Sequence, residues 1–172
     1  MTSDRAYVVN LLMKLIRSTH CFRLKRILLA RARATSGLAV RYFSESAFLT
    51  QDKLKIGDLT WLAHGALFIR GDVETSISSN FNVAPSVCSI SDYEGVSYYG
   101  PRVAKDGFSL PIYIENGCWI GTGSIILQDL HVEKIPVVIG NALTKLNSFK
   151  RCAIRGSHAR KLKKLDFCDP LR

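Results

Sequence analysis

Residues 89–100 read SISDYEGVSYYG and gather two acids, three tyrosines and two glycines into one short stretch. Carboxylates and phenols this close together can hold a polar acceptor by hydrogen bonds, and glycines let a ligand approach the backbone. A proton acceptor working near neutral pH is missing. Val96, near the middle, cannot take a proton, and a carboxylic acid titrates near ~4 unless it is desolvated. Asp92 and Glu94 are therefore candidates to hold or activate a substrate.

Other reactive side chains are thinly spread. His20, His64, His131 and His158 form no close triad, so no metal is expected. Cys21, Cys88, Cys118, Cys152 and Cys168 are odd in number and widely spaced without a C-x-x-C pair, which points to a reducing compartment rather than a disulfide framework. With 172 residues, 47% of them hydrophobic, the chain suits a single core. The apolar run VVNLLM ends at Lys14, too short for a secretory signal and far below the ~20 residues of a membrane span. A cytoplasmic protein is expected.

Charge is distributed unevenly within a net +10. Residues 1–41 contribute +8, residues 42–144 contribute −5 and residues 145–172 contribute +7, so contacts with polyanions belong at the two ends. Residues 5–34 have helical periodicity in Val8, Leu11, Leu12, Leu15 and Ile16, continued by Leu24, Ile27 and Leu28 after a weak break at Ser18–Thr19. A basic amphipathic helix of this kind suits the anionic inner face of a membrane. The plainer alternative is a solvated face packed on its own domain.

From Ile56 the period changes. In IENGCWIGTGSIILQDLHVEKIPV, Ile114, Ile120, Ile126 and Val132 recur every six residues; Ile56, Leu62 and Phe68 do the same, and Ile77 and Val83 follow after a slip of three. If each unit is a short strand and a corner, the leading aliphatic side chain points inward. A small residue follows it (Gly57, Ala63, Gly121), and the fifth position (Thr60, Ala66, Ser124) must also be small. A single coil cannot bury its own face, so the coils must stack into a solenoid. The expected layout is a basic helical segment over 1–41 and a repeat domain over 42–172, with a loop at 91–111 and a basic C-terminal tail or short helix.

WIGTGSIIL, VVIGNALTKLNSF and AIRGSHARKLKK together resemble the hexapeptide-repeat acyltransferases, which include sugar, maltose and serine O-acetyltransferases. The resemblance covers roughly residues 53–165. It implies a mainly β fold, a left-handed parallel β-helix, although the general rule for parallel crossovers would give the right hand. It also implies acetyl-CoA as acyl donor, bound in a groove between neighbouring subunits of a homotrimer. By position, Trp119 and Thr122 would line the pantetheine tunnel and Asn141 would stand at the coil edge. Thr144 and Lys145 would lie near the phosphates, with Arg160 and Lys163 at the nucleotide end. His158 stands where the family usually has proline. The family's loop pattern D-x-D-G-H-P carries the general base; here Asp92, Glu94 and Gly95 align and Val96 takes the place of histidine. His64 in LAHGAL is the candidate substitute, its alternative being a solvent-facing corner residue.

The function expected from this resemblance is O-acetylation of a sugar or polysaccharide precursor. The alternative is a non-catalytic trimer that binds cofactor or glycan. Nucleic-acid binding is not expected, because the basic charge sits on a terminal helix and on a tail suited to the cofactor's phosphates, and no recognised motif is present.

Overall fold

In the computed structural model, residues 2–17, 19–32, 34–50, 54–70, 73–96, 101, 104–133, 136–138, 140–144 and 151–165 are described. Two helices, α1 (Thr2–Leu15) and α2 (Phe22–Arg31), precede the coils, so the single helix expected over 5–34 is divided. Cys21, immediately before α2, has φ 54°, a left-handed conformation that no continuous helix contains.

Five coils follow, each of three short strands. They are β1 (Ala34–Ser36), β2 (Arg41–Tyr42) and β3 (Ala47–Thr50); β4 (Leu54–Ile56), β5 (Trp61–Leu62) and β6 (Leu67–Arg70); then β7 (Thr75–Ile77), β8 (Asn82–Val83) and β9 (Cys88–Ile90). A hairpin, β10 (Asp92–Val96) and β11 (Ala104–Ser109), interrupts the stack. The coils resume with β12 (Ile112–Ile114), β13 (Trp119–Ile120) and β14 (Ile125–Leu127), followed by β15 (Leu130–Val132), β16 (Val137–Val138) and β17 (Leu143–Thr144). Two further strands, β18 (Cys152–Arg155) and β19 (Arg160–Lys164), extend one side. The expected C-terminal tail or helix is thus a hairpin, with β19 antiparallel to β18.

Apart from the two-stranded β10–β11 sheet, the strands form three sheets, each a face of a prism: face A is β1-β4-β7-β12-β15, face B is β2-β5-β8-β13-β16-β18-β19, and face C is β3-β6-β9-β14-β17. Equivalent hexapeptide positions stack in register. Ile56, Ile77, Ile114 and Val132 align inside face A, and Tyr42, Leu62, Val83, Ile120, Val138 and Ile154 inside face B; all are buried. The first coil is hidden in the sequence because its six-residue step runs through Ser36, Tyr42 and Phe48, none of them aliphatic. The expected division after residue 41 falls inside β2. Val9, Met13 and Leu29 of the helices share one core with the coils.

Corner residues follow from the backbone. Ala39, Leu59 and Asn80 take left-handed φ of 53–56° at one edge, and turn side chains cap the exposed N–H groups there: Leu38 N donates to Asp58 Oδ1 (2.6 Å), Asp58 N to Ser79 Oγ (3.1 Å) and Ser79 N to Asn116 Oδ1 (2.9 Å). The small residue after the leading aliphatic is needed for close coil stacking. A Cβ on Gly121 would lie 2.5 Å from Gly140 N and 2.7 Å from Val138 O.

The helices close the open end of the stack. Asn10 Nδ2 donates to Phe48 O (3.0 Å) while Phe48 N donates to Asn10 Oδ1 (3.2 Å), so the side chain replaces a missing neighbour strand. Lys25 Nζ donates to Tyr42 O (3.2 Å), and Ser44 Oγ donates to Ile16 O. Lys25 is fully buried, and desolvation lowers its pKa against the opposing pull of Glu45. Burial pushes the Tyr42 phenol up to about 12, with the Ser36 hydrogen bond and Arg26 acting the other way.

Two stability measurements test these assignments. Gly121→Ala forces a Cβ against backbone that cannot rotate away, and should cost about 1–3 kcal/mol in denaturant unfolding. Between pH 10 and 12 the unfolded chain ionises at Tyr42 before the folded one, so stability falls as pH rises, by up to about 3 kcal/mol from this group. Lys25, with its folded pKa lowered, acts with the opposite sign. Tyr42→Phe should therefore flatten the loss, and an unchanged slope would show that Tyr42 is not shielded.

Candidate functional site

The edge between faces B and C collects three of the predicted site residues. Ser86 N donates to His64 O (2.9 Å), Gly123 N to Pro85 O (3.1 Å) and Asn141 N to Thr122 O (2.8 Å), so His64, Thr122 and Asn141 lie on one column of corners. With about 4.8 Å per coil, His64 stands roughly 10 Å from Thr122, and Asn141 one coil beyond. All three are exposed. Asn141 has φ 58°, and a Cβ at Gly123 would collide with its Oδ1, so the glycine leaves room for the amide above it. His64 Nδ1 lies 3.4 Å from Glu45 Oε2 of the preceding coil. An imidazole with a carboxylate at Nδ1 keeps Nε2 available to accept a proton. Glu45 does not stand out in the sequence; its signal is a separation from His64 of about one coil.

Face B presents an outward row read directly from the register: Arg41, Trp61, Asn82, Trp119, Val137, Ala153 and Lys163, of which Ala153 is buried. Trp119 is 52% exposed. The Arg41 guanidinium sits 5.6 Å from the Trp61 ring centroid, and the Phe43 ring is 6.2 Å from the same indole. Three strand spacings, about 14 Å, separate Trp119 from Lys163. Beyond lies an exposed basic edge, Arg160, Lys161, Lys163 and Lys164. His158 in the turn before β19 has φ 60°, which proline, locked near −65°, cannot adopt; this turn therefore follows a path of its own. Thr144 closes β17, and Lys145 lies outside the described residues.

Asp92 and Glu94 are placed elsewhere. They lie on β10, which leaves face C at its far edge and pairs with β11, Asp92 opposite Ser109 and Glu94 opposite Gly107. Ser109 Oγ donates to Asp92 Oδ1 (3.2 Å), and both acids are exposed. The ladder is irregular between Glu94 and Val96, which pairs with Ala104. Six extended residues separate Ser86 from Asp92, roughly 20 Å across face C. One chain therefore does not bring the acids to His64, Thr122 and Asn141. Among the described residues no three His, Cys, Asp or Glu side chains converge as a metal would require.

Face C itself is unlike the others. Its outward positions run Leu49, Ile69, Ile90 and Leu127 in one row and Ala47, Leu67, Cys88 and Ile125 in the next, with no charge in either. Face A instead carries Thr35, Lys55, Ser76, Tyr113 and His131 outward.

No family model and no curated protein matches the sequence. Solved structures do match. A galactoside acetyltransferase in complex with coenzyme A aligns over 96% of this chain and 82% of its own, at TM-score 0.78 and 15% identity. A hexapeptide-repeat-containing acetyltransferase from Vibrio cholerae O1 biovar eltor, complexed with acetyl-coenzyme A, aligns over 96% and 88%, at 0.74 and 16%. A variant of AntD, an N-acyltransferase from Bacillus cereus, in complex with dTDP and coenzyme A, aligns over 79% and 76%, at 0.70 and 18%. The stacked coils of this chain thus have the left-handed parallel β-helix fold seen in these acetyltransferase structures.

Proposed function

We propose that this protein is an acyltransferase that passes the acetyl group of acetyl-CoA to a hydroxyl of a sugar or polysaccharide precursor. The observation that carries this reading is the outward row of face B. It leads from the Trp119 indole, on the strand that runs into the corner of Thr122, to the exposed basic edge of β19. A slender, largely uncharged pantetheine arm ending in a phosphorylated nucleotide asks for that order of surfaces. Trp119 and Thr122 flank the arm, Asn141 stands at its edge, and Arg160 and Lys163 neutralise the nucleotide end. The coenzyme A and acetyl-coenzyme A complexes of structures with this fold support the same choice of donor.

In the transfer, the acceptor oxygen forms a bond to the thioester carbonyl carbon, the C–S bond breaks, and the hydroxyl proton must reach a base. With valine at position 96, His64 oriented by Glu45 is the group suited to take it, while Asp92 and Glu94 hold the acceptor's hydroxyls. The acids and the imidazole stand on opposite edges of face C. The reading therefore requires a second copy, whose hairpin would complete the edge bearing His64. The two aliphatic rows of face C are the surface suited to that association, in a cytoplasmic homotrimer.

The valine also favours a second reading, a trimer that binds cofactor or glycan without chemistry. Titration of acetyl-CoA beside a product assay over sugar acceptors separates the two. Binding should alter the Trp119 fluorescence isolated in Trp61→Phe, and Arg160→Ala with Lys163→Ala should weaken it about tenfold or more. His64→Ala should lower kcat by about 10²-fold or more with little change in KM, and Val96→His should raise it. Binding without transfer would select the second reading. Absence of binding would remove both cofactor assignments.

A further inference from the structure

The apolar residues that give α1 its helical periodicity do not all face the core. Ala6, Val9 and Met13 are the buried ones, packed toward β3, whereas Tyr7, Val8, Leu11, Leu12 and Leu15 are 41–78% exposed. At 100° per residue these five span about 140° on the outer side, with Asp4 of the first turn falling within the same arc. The helix is apolar on both faces. On α2, Leu24 and Ile27 are likewise exposed, and the two helices border an open cleft of about 790 Å³, with Val8 and Leu12 on one side and Leu24 and Ile27 on the other. Asp4, Arg5 and Arg31 also line this cleft, and Lys14, Arg17 and Arg23 stand exposed around the stripe.

We infer that this outer face of α1 and α2 docks on an anionic lipid bilayer, with the apolar stripe in the interfacial region and the basic rim against lipid phosphates. Charge complementarity decides between a bilayer and another copy of the chain. The exposed basic side chains of this face, Arg5, Lys14, Arg17, Arg23 and Arg31, outnumber its acid, Asp4, so two copies meeting through it would oppose like charges, whereas an anionic surface attracts them. The apolar surface suited to self-association is the pair of aliphatic rows on face C, a different side of the molecule. The mode is peripheral. Fourteen residues of α1 span about 21 Å, and among the described residues no helix is long and apolar enough to cross a membrane. Sequence periodicity points to a basic amphipathic helix; the exposed side of that helix, and its pairing with α2 across a cleft, are visible only in the fold.

The test is co-sedimentation of the full chain with phosphatidylcholine vesicles with and without phosphatidylglycerol, in the absence of coenzyme A, so that its result is independent of the transferase reading. Binding should require phosphatidylglycerol, weaken as salt rises, and fall about fivefold for each of Lys14→Ala and Arg17→Ala. Leu11→Asp with Leu15→Asp should abolish it while leaving the unfolding midpoint within a few degrees, because both side chains are already exposed. If that pair proves misfolded, the two alanine variants still decide the matter. Equal or no binding to the two vesicle types would overturn the inference. So would an aspartate pair that leaves vesicle binding intact but lowers the oligomeric mass in light scattering, which would give the surface to a second copy.

Discussion

A single geometric requirement governs this molecule. Each six-residue step must place one side chain inside a triangular coil, in register with the step one coil away, because the backbone of each strand is hydrogen-bonded to that of the neighbouring coil. Where the step is satisfied by isoleucine, leucine, valine or phenylalanine, the interior is a set of continuous apolar columns. The requirement binds only the inward positions. Outward positions are free to differ from face to face, and they do: polar on A, aromatic leading to basic on B, aliphatic on C. Corner geometry supplies the rest, with Gly121 held small by the backbone of the next coil and left-handed residues recurring at equivalent turns.

A stack of parallel coils must also end, and its first and last strands expose unpaired backbone groups. The two ends are treated differently. At the beginning, helix side chains reach down to the first coil: Asn10 pairs with both backbone groups of Phe48, and Lys25 gives up much of its hydration to reach Tyr42 O. A buried lysine costs free energy, and its lowered pKa is the expression of that cost. At the other end, β19 turns back on β18 and covers the edge with a strand rich in lysine and arginine, whose mutual repulsion discourages addition of a further strand.

These physical facts explain what could be read from sequence. Ile114, Ile120, Ile126 and Val132 announce the coil because an aliphatic side chain at a fixed step has few other meanings. Ser36, Tyr42 and Phe48 perform the same task in the first coil, but a serine and two aromatic residues at that step carry no such signal. The stripe Val8, Leu11, Leu12 and Leu15 is visible in the sequence, yet periodicity gives an angle and not a direction, and only packing shows that Ala6, Val9 and Met13 take the inner side. The candidate site is legible residue by residue and not as an arrangement. That His64, Thr122 and Asn141 share an edge, while Asp92 and Glu94 stand across face C, depends on which corner each turn occupies, and the nine-residue step from Phe68 to Ile77 hides that count. Glu45 can be found only by knowing the length of a coil.

The position of the two basic ends follows from the same architecture. On face B, β2 and β19 are separated by six strand spacings, about 29 Å, with the mildly acidic middle between them. A sequence net charge of +10 is therefore two separate cationic regions on a rod, each too far from the other to be felt through physiological salt. If the proposed roles hold, they meet different anions, lipid phosphate at the helical end and the phosphates of a soluble donor at the hairpin end. A protein lying on a bilayer by α1 and α2 would hold the row from Trp119 to Lys163 well away from the surface, open to the solution from which the donor arrives. The rigid, repetitive coil is what keeps these two encounters apart, and its length in coils sets the distance between them.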